Sequence, residues 1–437
     1  MKKKIISSVL AAGFIFSTSS YAETLESSVA KTLVSNPEIN RVLSRVGAFQ
    51  KANDGAFAGY LPTIDINAGI GRERTDRDNF ETTTYTRKEL GFSLRQILFN
   101  GFATGAEYDR TAFEANAEQY ALLADAEDVS LKTISAYLNV LKSSETLALA
   151  EQNLEIHEKI YRDIKKRTDS GIGSTSDLSQ IEARLARSSA NVVNAENNLS
   201  DAETQYLRLV NEYPENLEVP QPDFSGVPST FADVVQRAMD NHPRLKSSRQ
   251  DIYAANAQHE VAKSRYYPEV AIEVENNFLD DADGTKGNND ELLGMVRMRY
   301  NLFNGGRDQA YVEETAFQVN EAKFISEGTL RDIHQGARLS WDAKRYLEQQ
   351  QAFLERHVEA SEQTRNAYGK QFNLGKRTLL DVLNTETELF EAKKDLVSTR
   401  YEVMEANFRI LNSMGSLLGS LRVAPPEDWR QQLRDIQ

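Results

Sequence analysis

The chain of 437 residues contains no cysteine, which excludes a disulfide framework, thiolate chemistry and a lipid carried on a thiol. Beyond residue 16 it also has no apolar, uncharged stretch of the roughly 20 residues that a spanning helix requires. An exported form is therefore either soluble or crosses a membrane as strands, and any attachment must come from the fold. Glycine and proline are few, 23 and 10, and gathered in a few places, so long uninterrupted elements follow. A nucleic-acid partner would want clustered Lys and Arg, and the net charge of -14 argues against one while suiting an acidic surface that faces water.

What the chain does have begins at its N-terminus. Lys2, Lys3 and Lys4 precede a largely apolar run from Ile5 to Phe16, and Ser20-Tyr21-Ala22 offers small residues for cleavage. Residues 1–22 read as a secretory signal peptide, with the mature protein starting at Glu23.

The remainder is one plan written twice. Asn36-Pro37 recurs as His242-Pro243 and Tyr60-Leu61-Pro62 as Tyr266-Tyr267-Pro268, both offset by 206. From there the offset is 204: Leu98-Phe99-Asn100-Gly101 matches Leu302-Phe303-Asn304-Gly305, Gly171 matches Gly375, and Asp177 matches Asp381. A constant offset over more than a hundred residues points to duplication. The expected organisation is a first repeat over 23–211, with a helix, a β-hairpin at 60–100, a long helix at 101–168 and a return helix at 177–211. Residues 212–229 hold four prolines and form a connector. The second repeat covers 230–415, with a helix, a hairpin at 267–303, a long helix at 305–371 and a return helix at 378–415; a tail follows at 416–437.

Strand periodicity marks each hairpin. Ile64, Ile66, Ala68 and Ile70 alternate with Thr63, Asp65, Asn67 and Gly69, and Leu90, Phe92 and Leu94 alternate with Gly91, Ser93 and Arg95. In the second copy Val270, Ile272 and Val274 oppose Ala271, Glu273 and Glu275, and Val296 and Met298 oppose Arg297 and Arg299. Strands with one apolar and one charged face suit a barrel with lipid outside and water inside, so Asp65, Arg95, Glu273, Glu275, Arg297 and Arg299 are expected to line the lumen. Four strands cannot close in lipid, which requires a barrel shared between subunits; the alternation permits eight, twelve or sixteen strands. The hairpin tips, 72–87 and 279–291, are polar. Asp280, Asp281, Asp283 and Asp290 lie in the second, but without the ligand spacing of an EF-hand.

In the return helices the seam Leu178, Ile181, Leu185, Ser188, Val192, Ala195, Leu199, Ala202, Tyr206 and Leu209 keeps a 3-4 spacing. It repeats 204 residues on as Val382, Thr385, Leu389, Ala392, Leu396, Thr399, Val403, Ala406, Ile410 and Ser413. That period means coiled-coil packing, with Ala, Ser and Thr allowing close approach. Gly171 and Gly375 are the expected helical-turn tips. No catalytic constellation is present, nor a cofactor or metal motif: His157-Glu158 and His259-Glu260 lack the second histidine of a zinc helix, and His157 sits in an apolar seam.

The paired Tyr-x-Pro strand entries, the paired Leu-Phe-Asn-Gly exits and the segment Gly375-Lys376-Arg377-Thr378-Leu379-Leu380-Asp381-Val382-Leu383 make the mature chain resemble the TolC, or outer-membrane efflux protein, family. The resemblance implies an α+β membrane protein: a homotrimer with a shared transmembrane β-barrel of twelve strands, four per chain, continued by a coiled-coil α-helical barrel across the periplasm. It implies a channel in the outer-membrane lipid, not an enzyme. The channel would export proteins by type I secretion or small toxic molecules, with a periplasmic adaptor (membrane fusion protein) and an inner-membrane transporter. It further implies a periplasmic gate in which Arg377 bonds to Ser176 and Asp177 across the two turns while Asp381 forms an acidic ring. The family's second acidic position is Asn384 here. The competing expectation is a soluble periplasmic coiled-coil adaptor or structural protein.

Overall fold

The computed structural model describes residues 23–76, 78, 81–430 and 433; the expected signal peptide lies outside them. Ahead of the first hairpin stand two helices rather than one, α1 (Leu25–Ser35) and α2 (Pro37–Phe57). The break falls at Asn36 because a proline disfavours helical backbone at the residue before it. Asn36 is extended (φ -71°, ψ 123°) and its side chain accepts from the Glu38 N–H, capping α2.

Strands β1 (Thr63–Thr75) and β2 (Thr83–Asn100) pair antiparallel from Thr63↔Arg95 to Thr75↔Thr83. The ladder therefore runs well into residues 72–87, which read as a loop in the sequence. Arg72, Glu73, Arg74 and Thr75 are polar on both faces, so the alternation fades while the backbone pairing continues; Arg87 ties back to Glu73 at 3.1 Å.

The repeated Leu-Phe-Asn-Gly is the hinge from strand to long helix. The Asn100 side chain accepts from the Thr104 N–H at 3.3 Å and donates to Thr104 Oγ1 at 2.8 Å. Gly101 (φ 65°) and Phe102 (φ 68°) both turn left-handed, and a Cβ on Gly101 would stand 2.5 Å from the Ser264 carbonyl. Helix α3 (Ala103–Asp169, 67 residues) follows, about 100 Å long at 1.5 Å per residue. It returns as α4 (Thr175–Val210).

After the connector the plan repeats: α5 (Phe231–Asn241), α6 (Pro243–Lys263), β3 (Glu269–Asp280), β4 (Asn288–Arg299), α7 (Arg307–Asn373) and α8 (Leu379–Ser413). The strands form one antiparallel sheet in the order β1-β2-β3-β4. Helices α2, α3, α6 and α7 neighbour one another in the same order. None of the described helices is long and apolar enough to cross a membrane.

The main core lies where α1, α3, α4 and α8 meet, around Tyr137, Tyr206, Ile134 and Phe408. The connector is pinned to it, because the Tyr137 hydroxyl sits between the carbonyls of Glu23 (2.7 Å) and Glu218 (2.6 Å). The described residues after 416 pack against the rest of the chain. Short helices α9 (Leu417–Ser420) and α10 (Glu427–Arg430) return to this core, burying Leu417 and Trp429. The buried Glu127 carboxylate accepts from the N–H groups of Leu417 (2.9 Å) and Leu418 (3.2 Å).

Candidate functional site

The sheet has two chemically opposite faces. Register places Asp65 opposite Ser93, Arg95 opposite Glu273, Ser93 opposite Glu275, Ala271 opposite Arg297 and Glu269 opposite Arg299. Directly opposed residues share a face, so Asp65, Arg95, Glu273, Glu275, Arg297 and Arg299 all stand on one side. Four of them form a network there with Glu269: Arg297 bonds to Glu273 at 2.5 Å, Arg95 bonds to Glu269, and Arg95 with Glu273 and Arg299 with Glu269 make ion pairs at 3.6 Å. The other side carries Ile64, Ile66, Ile70, Leu90, Phe92, Val274, Phe278, Leu292, Val296 and Met298, all exposed. An apolar face of this extent fits a lipid surface. Among the described residues the outer edges of β1 and β4 carry no further strand, leaving two rows of backbone donors and acceptors that must be met elsewhere.

A second unpartnered surface runs down α7. Phe317, Phe324, Leu339, Tyr346 and Phe353 are exposed, at 56% or more each, and their spacing keeps to heptads within each pair or triplet. Helix α3, of equal length, has its middle packed among α1, α2, α4, α6 and α8 instead.

At the far ends of the helices both turns have one geometry. Gly171 (φ 73°) bonds its N–H to Thr168 O at 2.9 Å, and Ile172 bonds to Arg167 O at 3.0 Å; Gly375 (φ 70°) and Lys376 do the same to Phe372 and Gln371, each at 2.9 Å. These are Schellman closures, in which glycine takes the left-handed position. Asp381 caps α8: its carboxylate accepts from the Thr378 hydroxyl (2.9 Å) and N–H (3.2 Å), while its own N–H donates to Thr378 Oγ1 at 3.3 Å. Those bonds, with Arg377 adding a smaller attraction, hold the Asp381 carboxyl below its ordinary pKa.

Arg377 and Asp381 are brought together, at 3.9 Å, but Arg377 and the first turn are not. Its guanidinium lies over the Tyr368 ring (4.2 Å to the centroid) and its Nε donates to Gln371 at 3.1 Å. Ser176 is bonded to Ser174, and among the described residues neither it nor Asp177 meets Arg377 within one chain.

The two hairpin ends are joined by other residues. Ile164 and Ile181 pack with Leu379 and Leu383, Arg167 lies over the Phe372 ring at 5.5 Å, and Arg184 donates to Asn384 Oδ1 at 3.0 Å and Thr387 Oγ1 at 3.3 Å. Arg184 carries no signal in the sequence, where it reads as one more solvated cation between Ile181 and Leu185. His157 is a packed histidine: its Nδ1 bonds to Asn153 O at 2.8 Å, and burial pushes its pKa down.

Comparison with known proteins bears on both ends of the molecule. The sequence model of the family described as outer membrane efflux protein matches residues 29–212 and 234–416, one block in each copy. The outer membrane efflux protein BepC of Brucella suis is 24% identical over 443 residues, covering 99% of this chain and 96% of its own. The outer membrane protein TolC of Escherichia coli K12 is 24% identical over 422 residues, covering 92% and 84%. In structure, the Campylobacter jejuni CmeC outer membrane channel aligns with a TM-score of 0.80 at 16% identity, over 94% of this chain and 88% of that one.

Proposed function

We propose that this chain, which belongs to the outer membrane efflux protein family, forms the outer-membrane conduit of an export system as a homotrimer, with cargo handed to it by a periplasmic adaptor and an inner-membrane transporter. The family match across both copies sets aside the soluble periplasmic adaptor or structural protein. One observation carries the trimeric reading: a sheet with a lipid-compatible face, a charged face and two open edges, continued by helices about 100 Å long. Three such sheets joined β4 to β1 give twelve strands, enough to close and enclose water, with Asp65, Arg95, Glu273, Glu275, Arg297 and Arg299 lining the lumen and Ile64, Ile66 and Val296 in lipid. The exposed stripe on α7 is then covered by the neighbouring chain.

At the periplasmic end Asp381 projects from the first turn of α8, and three-fold symmetry sets like carboxylates around the entrance, where they attract cations. Arg377, Ser176 and Asp177 stand at the same rim, available to a neighbouring chain, and Gly171 and Gly375 form its tips. The protein is exported with residues 1–22 removed and extends from the outer membrane into the periplasm. The test is detergent-purified protein in planar bilayers. A trimer that conducts, with cation preference weakened by Asp381→Asn, supports the reading; a monomer that adds no conductance overturns it.

A further inference from the structure

We propose that a groove between α4 and α8, on the inner surface of the tunnel, is a transient binding site for amphipathic organic anions: molecules with an aromatic or aliphatic body and one acidic head. Its placement in the lumen rests on the channel reading above, and its chemistry on the residues that line it. Near the turns α4 and α8 lie side by side, joined through Arg184, Asn384 and Thr387. Toward the core they part, each still packed on α3, and the gap they leave is a groove of about 770 Å³ with α3 as its floor. That size suits a small organic molecule.

The groove opens on the side of α3 away from α1 and the connector. Tyr137 anchors Glu23 and the connector on one face of α3, while Ser135 and Asn139, two residues before and after it, line the groove. At 3.6 residues per turn those positions lie on the opposite face. Three copies of the α1 and connector layer turned inward would fill the bore, so that layer clothes the tube and the groove faces the lumen.

The groove is apolar at Leu131, Leu138, Leu209 and Tyr401, and toward the entrance it turns polar at Asn198 and Ser398. Lys142, Arg208 and Arg409 converge on it, one from each helix, and among the described residues none of the three forms an ion pair. The two carboxylates that line it are engaged with hydroxyls: Glu405 accepts from Ser135 and Glu402 from Ser398, each at 2.8 Å. Lys132, the remaining cation of the groove, is paired with Glu38 at 3.6 Å.

Three uncommitted cations beside an apolar cleft stand out in a chain of net charge -14. They repel one another, and an anionic head relieves that repulsion; either guanidinium can hold a carboxylate through paired N–H groups. The apolar body of the same molecule then leaves water for Leu131, Leu138 and Tyr401. A ring of Asp381 at the entrance works against anions, and this groove offers anionic cargo a favourable stop further along the path, weak enough for release.

The experiment uses purified trimers in nonionic detergent, with 2-naphthoate as the probe and equilibrium dialysis as the measurement. Saturable binding at one site per chain is expected, with the neutral counterpart 2-naphthylmethanol bound about tenfold more weakly. Arg208→Gln combined with Arg409→Gln should weaken 2-naphthoate about tenfold and leave the alcohol unchanged. Arg187→Gln, at an exposed cation of α4 outside the groove, should change neither. Equal binding of acid and alcohol, or indifference to the double variant, overturns the site. So does a wild type that binds no probe because a neighbouring chain fills the groove. In planar bilayers 2-naphthoate should reduce the wild-type single-channel current, and the double variant should lose that block at the same concentration. Binding with no effect on the current overturns the lumenal placement and the proposal with it. A wild type that binds the probe as expected yet carries no current overturns the channel reading instead.

Discussion

Asn36 and His242 occupy equivalent positions in the two copies and do the same work: Asn36 Oδ1 accepts from the Glu38 N–H at 2.9 Å, and His242 Nδ1 accepts from the Arg244 N–H at 3.2 Å. Each caps the helix that leads into its β-hairpin, and each lies where a return helix ends. Ser35 and Asn36 bond to the last carbonyls of α4, and Gly415, just past α8, fits so closely that a Cβ would stand 2.6 Å from Pro243.

A histidine in that role makes the second copy sensitive to acid. Burial pushes the His242 pKa down to about 4, against a smaller opposing pull from Asp128, and Arg244 adds to the lowering. Its contribution to stability is complete above an unfolded pKa of about 6.5 and is lost as the pH falls toward 4. Burial of Glu127 works the other way, raising its pKa to about 7, so its contribution is complete below about 4.5 and is lost as the pH rises toward 7. The gain in melting temperature of His242→Asn over wild type should therefore grow as pH falls through that window. The gain of Glu127→Gln should grow as pH rises. Difference curves that stay flat from pH 4 to pH 7.5 would show that neither group is linked to folding.

Replacing Ile66 with Arg puts a charge on the apolar face of the sheet, opposite Phe92, and should impair assembly by about 2–4 kcal/mol near the bilayer midplane. Asp65→Asn, one residue away on the other face, should assemble as wild type. The amount of oligomer recovered from outer membranes after a high-salt wash measures both, and equal tolerance at the two positions would reverse the face assignment.

Tyr137→Phe removes the hydroxyl that joins Glu23 to Glu218 and should cost about 1–3 kcal/mol, since its one O–H is shared between two carbonyls, of which Glu23 keeps the Glu218 N–H and Glu218 is left without this donor. Amide exchange should accelerate first around residues 216–218, where Glu23 N donates to Asn216 O and Glu218 N to Glu23 O. Unchanged exchange there would mean that the connector is held by other contacts.

Ile181, Ser188, Ala195 and Ala202 recur every seven residues along α4, all buried, as do Thr385, Ala392, Thr399, Ala406 and Ser413 along α8. Ala202→Leu or Ala406→Leu should overpack these seams and cost about 1–3 kcal/mol. Chemical denaturation in detergent should show the loss; wild-type midpoints would mean that the helices have room between them.

These seams and the strand faces were legible because each is a periodic demand on side chains: Ile64, Ile66 and Ile70 share one face of a strand, and Ile181 and Ala202 one stripe of a helix. The Gly171 and Gly375 turns were legible because left-handed backbone favours one residue type. Features set by backbone alone were not. The extension of β1 through Arg72 and Thr75 has no alternation to announce it, and the break at Asn36 needed the meaning of Asn-Pro rather than its recurrence. Arg184 was invisible for a different reason, because its importance lies in what α8 presents 200 residues later.

The long helices α3 and α7 are both 67 residues. They act as matched struts between the sheet and the two turns, so their length is a dimension the copies hold in common. Seven residues removed from α3 and the facing part of α4 would draw Gly171 up by about 10 Å, carrying Ile181 away from Leu383 and Arg184 away from Asn384. The same removal made in both copies leaves every one of those neighbours in place. The depth to which this molecule reaches can therefore change only in paired steps, one in each half of the chain.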